Sequence, residues 1–221
     1  MSLRQLLARK RMVILGLNSG TSADGLDLAV LEISPSHVTP AKYLAGKCVA
    51  YPPHLRDAVL TLSDAHTADL NHLVYLDHAL GEFYGTAAAR FQAWLSHRGI
   101  TIDAIGSHGQ TVRHLPAPTT FLGRRVHGTL QIGSLEMIAT LTGKPVIGDF
   151  RQADVALGHE GAPITVAAMA RLFGHPSRSR LIVNIGGMAN YFYFPAGFDV
   201  SEIRAADTGP GNVLSDLLCR T

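Results

Sequence analysis

The sequence predicts an α/β fold, in which strands and helices alternate along the chain. Three observations support this prediction: a pair of apolar strands near the N-terminus, a long amphipathic helix, and short apolar runs that lead into further helical segments. The 221 residues are 47% hydrophobic and 16% charged, which is typical of a globular protein with a sizeable core.

The first predicted elements are two apolar strands around a turn of small residues. Residues 12–15 read MVIL, residues 16–27 read GLNSGTSADGLD, and the second strand continues to about residue 33. A Pro-rich connection then leads to a short helix over residues 55–62. Residues 1–11 are basic and amphipathic but lack the apolar region of a signal peptide, so we expect a solvated segment there.

A long helix is predicted over residues 68–97. Its apolar residues recur at a period close to that of an α-helix, and Gly99 follows as a stop. Such a stripe is more often a core face than a cofactor site, so we assign it to packing. The stripe comprises Leu70, Leu73, Leu76, Leu80, Phe83, Tyr84, Ala87, Phe91, Trp94 and Leu95.

The second half of the chain continues the alternation. Strands are predicted over residues 104–107, 129–132 and 145–147, with a loop over residues 116–125, a helix over residues 134–141 that Gly143 ends, and another helix over residues 162–173. Residues 175–180 form a polar linker, and residues 181–194 form a second hairpin around a Gly-Gly turn. A last helix is expected to follow the sequence TGPGN.

Charge and cysteine content argue against several kinds of partner. The 19 basic and 17 acidic residues are scattered, so no basic block marks a surface for nucleic acid or an anionic membrane. No apolar run is as long as a membrane span. Cys48 and Cys219 lie far apart and neither belongs to a CxxC motif, which predicts reduced thiols and a cytoplasmic location. We therefore expect neither a nucleic-acid nor a membrane partner.

The turn over residues 16–27 is the first candidate site. Small residues let backbone N–H groups approach an anion, and hydroxyls on Ser19, Thr21 and Ser22 add donors. Asp24 or Asp27 could hold a Mg²⁺ ion through water. The hypothesis is nucleotide phosphate binding. An ordinary hairpin turn uses the same residue types, so this stretch alone does not separate the two interpretations.

Two polar segments follow predicted strands, where open α/β sheets place ligand contacts. In the first, GSHGQT, the side chains of His108, Gln110 and Thr111 could bind a polyol by hydrogen bonds. In the second, DFRQAD, Asp149 and Arg151 stand at a strand end. A strand-to-loop turn and a surface Asp–Arg pair are the plainer alternatives. His108 and His114 lack a carboxylate or Cys partner at a recognised ligand spacing, which disfavours a metal site in the first segment.

Two further segments lie after residue 180. Gly186 and Gly187 form a turn between strands that is similar to the first hairpin, and two such turns suggest clamps on one polyphosphate from both sides of a cleft. Asp207 precedes a Gly-Pro-Gly turn that leads into a helix. A carboxylate in that position could act as a general base on water or a hydroxyl. A helix-capping or turn aspartate is the plainer alternative.

Six motifs occur in order: SGTSADGLD, IGSHGQTVRH, LQIG, GDFRQADVALGHEGAP, VNIGGMAN and DTGPGN. Together they resemble the anhydro-N-acetylmuramic acid kinase family of the acetate and sugar kinase/actin superfamily, from about residue 13 to the end. The resemblance implies a two-lobed, actin-like or sugar-kinase fold of the ribonuclease H-like type. Residues 1–178 would be the first lobe and residues 179–221 the start of the second. That remainder is too short for an independent core, so we expect the second lobe to be incomplete.

The resemblance also implies a reaction and its cofactors. With ATP and Mg²⁺, water opens the 1,6-anhydro ring of anhydro-N-acetylmuramic acid, and O6 takes the γ-phosphoryl group to give N-acetylmuramic acid 6-phosphate in peptidoglycan recycling. The matching catalytic base is Asp207. The ATP-binding turn falls on Gly20, Thr21, Ser22, Ala23, Asp24, Gly25, Leu26 and Asp27, with Gly186 and Gly187 on the second turn. A homodimer is also implied.

The prediction also includes candidate sugar contacts. Expected to hold the sugar are His108, Gln110, Thr111, Asp149 and Arg151. Asn18 and Glu160 depart from the usual family motifs, which leaves open another 1,6-anhydrosugar such as levoglucosan as the substrate. An alternative of a different class is a truncated, non-catalytic module that binds sugar or another protein.

Overall fold

The computed structural model describes residues 3–34, 41–65, 67–186, 188–197 and 199–219. Its helices are α1 (Leu3–Leu7), α2 (Pro53–Asp64), α3 (Leu70–Ser96), α4 (Leu135–Thr142), α5 (Gln152–Ala156), α6 (Val166–Phe173) and α7 (Val213–Cys219), with a 3₁₀ helix at Val200–Glu202. Its strands are β1 (Met12–Asn18), β2 (Gly25–Ile33), β3 (Lys42–Ala50), β4 (Ala104–Ser107), β5 (Gln110–Phe121), β6 (Arg124–Ile132), β7 (Val146–Ile147), β8 (Arg180–Ile185), β9 (Met188–Phe194) and β10 (Arg204–Pro210). The predicted α/β class is confirmed. Within those ranges, no helix combines the length and apolar character needed to cross a membrane.

These elements form two compact units, Met1–Gly161 and Ala162–Thr221. The lobe boundary expected from the sequence lies between residues 178 and 179, which would assign α6 to the first lobe. In the structure α6 belongs to the second unit. Helix α6 belongs with the later elements because it packs against β9. The guanidinium of Arg180 also donates to the carbonyl of Phe173, at the end of α6, over 2.9 Å.

The first unit is built on a mixed five-stranded sheet in the order β3-β2-β1-β4-β7. Strands β1, β2 and β3 pair antiparallel, whereas β1, β4 and β7 pair parallel. Asn18 pairs with Asp27 at the end of the first hairpin, and Leu17 pairs with Ser107 on the other side. The segments that leave β1 and β4 therefore emerge at the same edge of the sheet, where ligands bind in open α/β folds.

Strand β3 lies where only a Pro-rich connection was expected. It is the edge strand of the sheet and most of its residues are exposed, so it lacks the apolar alternation that predicts a strand. Pairing along β2 holds it in place, with a register shift after Val30. The N-terminal segment also differs from the solvated one expected, because it forms α1 and buries Leu6.

Helix α3 contributes much of the core, as its stripe predicts. Five of the ten stripe residues are buried in the central cluster: Leu76, Leu80, Tyr84, Phe91 and Leu95. Leu70 and Trp94 at the two ends of the stripe are exposed. Asp69 caps the helix by accepting from the backbone N–H of Asn71 at 2.8 Å.

Helix α4 packs closely on α3 at two glycines. A Cβ added at Gly81 would lie 2.9 Å from Ser134, and one at Gly85 would lie 2.8 Å from Leu141. Side chains in a packed core do not approach so closely, so these glycines allow the two helices to touch. Gly143 ends α4 in a left-handed conformation, which confirms the predicted stop.

Strands β5 and β6 form a two-stranded antiparallel ribbon. The loop predicted over residues 116–125 is therefore wrong, since the chain turns only between Phe121 and Arg124. Pro116 and Pro118 suggested a loop, but they lie in the register shift that follows Leu115. A strand tolerates proline at such an irregularity because the ladder needs no N–H there.

The second unit contains a three-stranded antiparallel sheet in the order β10-β9-β8. Strands β8 and β9 are the predicted hairpin. Gly186 lies in its turn, and Gly187 lies outside the described residues. Strand β10 was not predicted, because its sequence RAADTGP contains no large apolar residue, and pairing with β9 places it in the sheet. Helix α6 starts at Val166, later than expected, and α7 follows TGPGN as predicted.

Candidate functional site

The turn between β1 and β2 is anchored from inside by Ser19. This residue is 3% exposed, and its hydroxyl donates to Oε1 of Gln110 over 2.8 Å. The next three residues, Gly20, Thr21 and Ser22, are exposed. Ala23 N–H donates to the Gly20 carbonyl over 3.1 Å and closes the turn. The turn thus presents small residues and two hydroxyls to solvent while its base is fixed.

Gln110 is the centre of a buried hydrogen-bond network. Its Oε1 also accepts from the Tyr51 hydroxyl at 3.1 Å, and its Nε2 donates to the Gly20 carbonyl at 3.1 Å. Tyr84 extends the network through its hydroxyl, which contacts that of Tyr51. Burial raises the pKa of both tyrosines, so both stay protonated at neutral pH. The glutamine predicted to contact a sugar therefore has its amide engaged by protein groups, and it positions the turn.

Three residues of the predicted ATP-binding turn serve its structure. Ala23 and Leu26 are fully buried in the core. A Cβ added at Gly25 would lie 2.7 Å from the Val49 carbonyl, so this glycine permits close pairing with β3. The outward-facing members of the set are Gly20, Thr21, Ser22, Asp24 and Asp27.

Asp24 and Asp27 are exposed carboxylates beside the turn. Nη2 of Arg56 lies 3.5 Å from Oδ1 of Asp24. Across the described ranges, no three His, Cys, Asp or Glu side chains converge on a metal position. Magnesium usually keeps several waters and binds one or two carboxylates together with substrate phosphates. The two carboxylates therefore suit a magnesium ion that arrives with a nucleotide.

A cleft of about 260 Å³ lies beside the ends of β4 and β6. Ser107 lines it, and its fully buried hydroxyl has no hydrogen-bond partner in the described chain. Gln131 lines it too, with Oε1 buried and unpartnered while Nε2 donates to the Thr111 hydroxyl at 3.2 Å. His108 and Asp149 also line this cleft. Buried polar atoms without partners are costly, so this cleft is suited to a hydroxyl-rich ligand that would satisfy them.

His108 and Arg151, predicted from separate motifs, form a hydrogen bond. Arg151 Nε donates to His108 Nε2 at 3.0 Å, so Nε2 carries no proton and Nδ1 donates to the Gly109 carbonyl at 3.0 Å. Burial lowers the pKa of His108, the bond to Gly109 opposes that shift, and the charge of Arg151 adds to it. His108 is therefore a neutral imidazole at pH 7.

The segment over residues 149–161 folds back on itself. Arg151 Nη1 donates to the Gly161 carbonyl at 2.7 Å, and Asp154 Oδ2 accepts from the Gly161 N–H at 2.8 Å. Gln152 ties the segment to β6 by donating to a backbone carbonyl at 2.9 Å. Asp149 is exposed with φ of +58°, a left-handed conformation that is uncommon for residues other than glycine.

In the second unit, two glycine-containing segments meet. Asn212 N–H donates to the Gly186 carbonyl at 2.9 Å, and a Cβ added at Gly211 would collide with that same carbonyl. Asp207 is exposed on β10, opposite Asn190 and just before a bulge. The Oδ1 atom of Asn190 is buried and unpartnered within the described chain. Asp207 thus lies beside the β8–β9 turn.

Four residues that shape these sites were not singled out from the sequence as functional: Tyr51, Tyr84, Ser107 and Gln131. A signal existed for Ser107 and Gln131, since they lie within the motifs IGSHGQTVRH and LQIG. None existed for the tyrosines, because an aromatic residue on an apolar stripe is typical of a core.

The family profile and the similar curated proteins carry the same family name. The sequence profile of the family described as anhydro-N-acetylmuramic acid kinase matches residues 12–221. A protein of that name from Salinibacter ruber is 39% identical, over 95% of this chain and 53% of its own length. Another from Saccharophagus degradans is 42% identical, over 94% of this chain and 53% of its own. The chain thus spans about half the length of the curated relatives it matches.

A structural comparison adds little to this. A solved structure of RuvC from Thermus thermophilus covers 72% of this chain and 78% of its own, at 18% identity and a TM-score of 0.29. That likeness is too weak to carry an argument.

Proposed function

The chain belongs to the anhydro-N-acetylmuramic acid kinase family, and from that premise we propose that it provides the phosphate loop, the sugar cleft and the catalytic base of an anhydrosugar kinase. The proposed substrates are ATP and 1,6-anhydro-N-acetylmuramic acid. The proposed product is N-acetylmuramic acid 6-phosphate, which places the protein in peptidoglycan recycling.

The proposed reaction couples ring opening to phosphoryl transfer. Water attacks the anomeric carbon and gives up a proton to a general base, and the bond from that carbon to O6 breaks. The freed O6 attacks the γ-phosphorus of ATP, and ADP leaves. Magnesium bound with the nucleotide would neutralise phosphate charge, with Asp24 or Asp27 holding it through water.

The observation that carries the proposal is the turn at Gly20 to Ser22. Its residues are exposed, and it is held by the buried hydrogen-bond network around Gln110. Phosphoryl transfer depends mainly on alignment and on donors placed around the moving phosphate. Gln110 holds the Gly20 carbonyl and Ser19 from below, which keeps the loop in one geometry before ligand arrives. We assign Gln110 to this positioning role, with the exposed hydroxyls of Thr21 and Ser22 as donors to phosphate.

The sugar is proposed to occupy the cleft lined by Ser107, His108 and Gln131. Ser107 Oγ and Gln131 Oε1 are the unpartnered atoms that sugar hydroxyl or amide groups would satisfy. Arg151 donates to His108 Nε2, which holds the imidazole in one tautomer and one orientation. A ligand beside His108 would therefore meet a ring in a fixed position. Thr111 supports Gln131, and Asp149 lines the same side.

Asp207 is proposed as the general base. Its carboxylate is exposed and stands on a strand beside a bulge, where a bulge can re-aim a side chain. Ring opening passes through an oxocarbenium-like transition state, so an ionised carboxylate would both accept the proton and stabilise developing positive charge.

The proposed fold is the two-lobed actin-like one. The sheet order in the first unit, with an antiparallel hairpin extended by parallel strands, is what supports it. A cytoplasmic location and a homodimer belong to the same proposal.

Incubation of the purified chain with Mg-ATP and 1,6-anhydro-N-acetylmuramic acid tests the function. We expect ADP and a 6-phosphosugar in equal amounts, and Asp207→Asn should abolish both. Levoglucosan in parallel reactions measures the preference between anhydrosugars. If calorimetry shows sugar binding but no turnover occurs, the sugar-binding module replaces the kinase as the conclusion. If Asp207→Asn still forms both products, Asp207 is not the general base.

A further inference from the structure

A second and larger cleft, of about 490 Å³, lies between strand β3 and helix α3. Small-molecule sites in proteins typically measure roughly 300–1,000 Å³. Its apolar lining comes from Val49, Phe83, Ala87, Phe91 and Trp94. It shares no lining residue with the cleft at Ser107 or with the turn at Gly20.

The cleft leaves aromatic surface open to water. Trp94 is 44% exposed, although its ring stacks on Phe91 with centroids 5.5 Å apart. Residues Gly46, Lys47 and Val49 of β3 form the opposite wall. Burial of exposed aromatic surface is favourable, so a ligand with an apolar body would gain free energy here.

The charged side chains that line the cleft are both cationic. They are Lys47 on β3 and Arg90 on α3, and both are exposed. Among the residues that the structure describes, neither forms an ion pair, and no acidic side chain lines this cleft. A third cation, Arg98, stacks over Trp94 at 3.7 Å from the ring centroid. The cleft thus combines an apolar wall with unneutralised positive charge.

We propose that this cleft binds a small amphipathic carboxylate. The hydrocarbon part packs on Phe83, Phe91 and Trp94, and the carboxylate lies between Lys47 and Arg90. A neutral ligand of equal length loses the charge-assisted hydrogen bonds, and a purely hydrophilic anion loses the apolar contact. The proposal is independent of the kinase reaction, because it uses none of its residues.

Direct titration tests this. Trp94 is the only tryptophan of the chain, so its fluorescence reports on the cleft itself. The 221-residue chain is titrated with octanoate, with octan-1-ol as the uncharged match and inorganic phosphate as the anion without a tail. We expect saturable binding of octanoate by fluorescence and calorimetry, binding of octan-1-ol about fivefold weaker, and none of phosphate.

Variants separate charge from volume. Lys47→Gln and Arg90→Gln should each weaken octanoate about threefold and leave octan-1-ol unchanged. Lys42→Gln, on the same strand but outside the cleft lining, is the matched control and should change neither. Thr86→Leu, which adds bulk to the lining, should weaken both ligands while circular dichroism shows a folded chain. Equal affinity for octanoate and octan-1-ol, equal effects of Lys42→Gln and Lys47→Gln, or no saturable binding would each overturn the proposal.

Discussion

The two glycine-rich turns, one in each unit, are similar in sequence but differ in what supports them. The turn at Gly20 in the first unit rests on the buried side chains of Ser19, Tyr51 and Gln110. The turn at Gly186 in the second unit is contacted by a neighbouring backbone N–H, that of Asn212.

The strands around the two turns differ in the same way. Strand β1 is buried at Leu15 and Leu17, whereas β8 exposes its apolar residues Leu181, Val183 and Ile185. The difference suggests that the first turn is as rigid as the core beneath it, while the second depends on the local fit of the DTGPGN segment.

The largest effect is expected for Gln110→Leu. This change keeps the approximate volume but leaves Ser19, Tyr51 and the Gly20 carbonyl without their buried partner. Orphaned buried groups of this kind cost about 3 kcal/mol in total, so the free energy of unfolding of the first unit should fall by about that amount. Urea unfolding followed by Trp94 fluorescence measures it.

Gln92→Leu is the control for that variant. Gln92 is half-buried on α3, and it makes one long hydrogen bond of 3.5 Å to the Thr142 carbonyl. Gln92→Leu should lower the free energy of unfolding by less than about 1 kcal/mol. Equal losses for the two variants would contradict the assignment of Gln110 as the centre of the network.

A smaller, local effect is expected for Gly211→Ala in the second unit. The added methyl group would overlap the Gly186 carbonyl, so the segment must shift and the Asn212 hydrogen bond must weaken, at a cost of about 2 kcal/mol. Hydrogen exchange of the Asn212 amide should accelerate while exchange at Gly20 stays unchanged. Gly128→Ala, where the new methyl group meets nothing within 4 Å, is the control.

Tyr84→Phe should lower the free energy of unfolding of the first unit by about 1 kcal/mol. It removes one hydroxyl from the edge of the network and leaves the ring in the core. Tyr75→Phe on the same helix is the matched control, since Tyr75 is 71% exposed and should change nothing. The two variants are compared by their urea midpoints, and indistinguishable midpoints would show that the Tyr51–Tyr84 contact contributes no stability.

The smallest effect concerns pH. The pKa of His108 in the fold lies below its ordinary value of 6.5, so the unfolded chain binds the proton more readily between those two values. Stability should therefore decrease as the pH falls through that window and be fully present above it. Between about pH 7.5 and about pH 5.5, the loss should be under about 1 kcal/mol.

His108→Gln checks the source of that pH dependence. It keeps an acceptor for Arg151 but does not titrate, so the pH dependence of the urea midpoint should become shallower. His97→Gln, at the exposed end of α3, should retain the slope of the parent chain. A slope that His108→Gln leaves unaltered would assign the effect to other groups.

Much of the fold could be predicted, because strong local signals and tertiary packing agree there. The hairpin of β1 and β2, helix α3 and the stop at Gly143 each carry such a signal. Strands β3, β5 and β10 could not be predicted. Pairing with a neighbouring strand holds β3 despite its exposed residues, β5 despite its prolines, and β10 despite its lack of large apolar residues. Edge strands are the elements in which tertiary pairing outweighs local pattern.

The site was predictable in part for a similar reason. The exposure of Gly20 and Ser22 could be predicted, because small and polar residues between two apolar strands are typical of a surface turn. The burial of Gln110 could not be predicted, because a glutamine in a polar motif is more often exposed than hydrogen-bonded to a buried tyrosine and a buried serine. Its hydrogen bonds to Ser19, Tyr51 and Gly20 are the basis on which we propose a positioning role for Gln110.

A nuclear magnetic resonance titration of the isotope-labelled chain with Mg-ATP tests the central claim most directly. We predict that the backbone amides of Gly20, Thr21 and Ser22 show the largest chemical-shift changes, and that Gln110→Leu diminishes them. Saturation of the chain with nucleotide while those three amides stay unshifted would contradict the claim that this turn receives the phosphates.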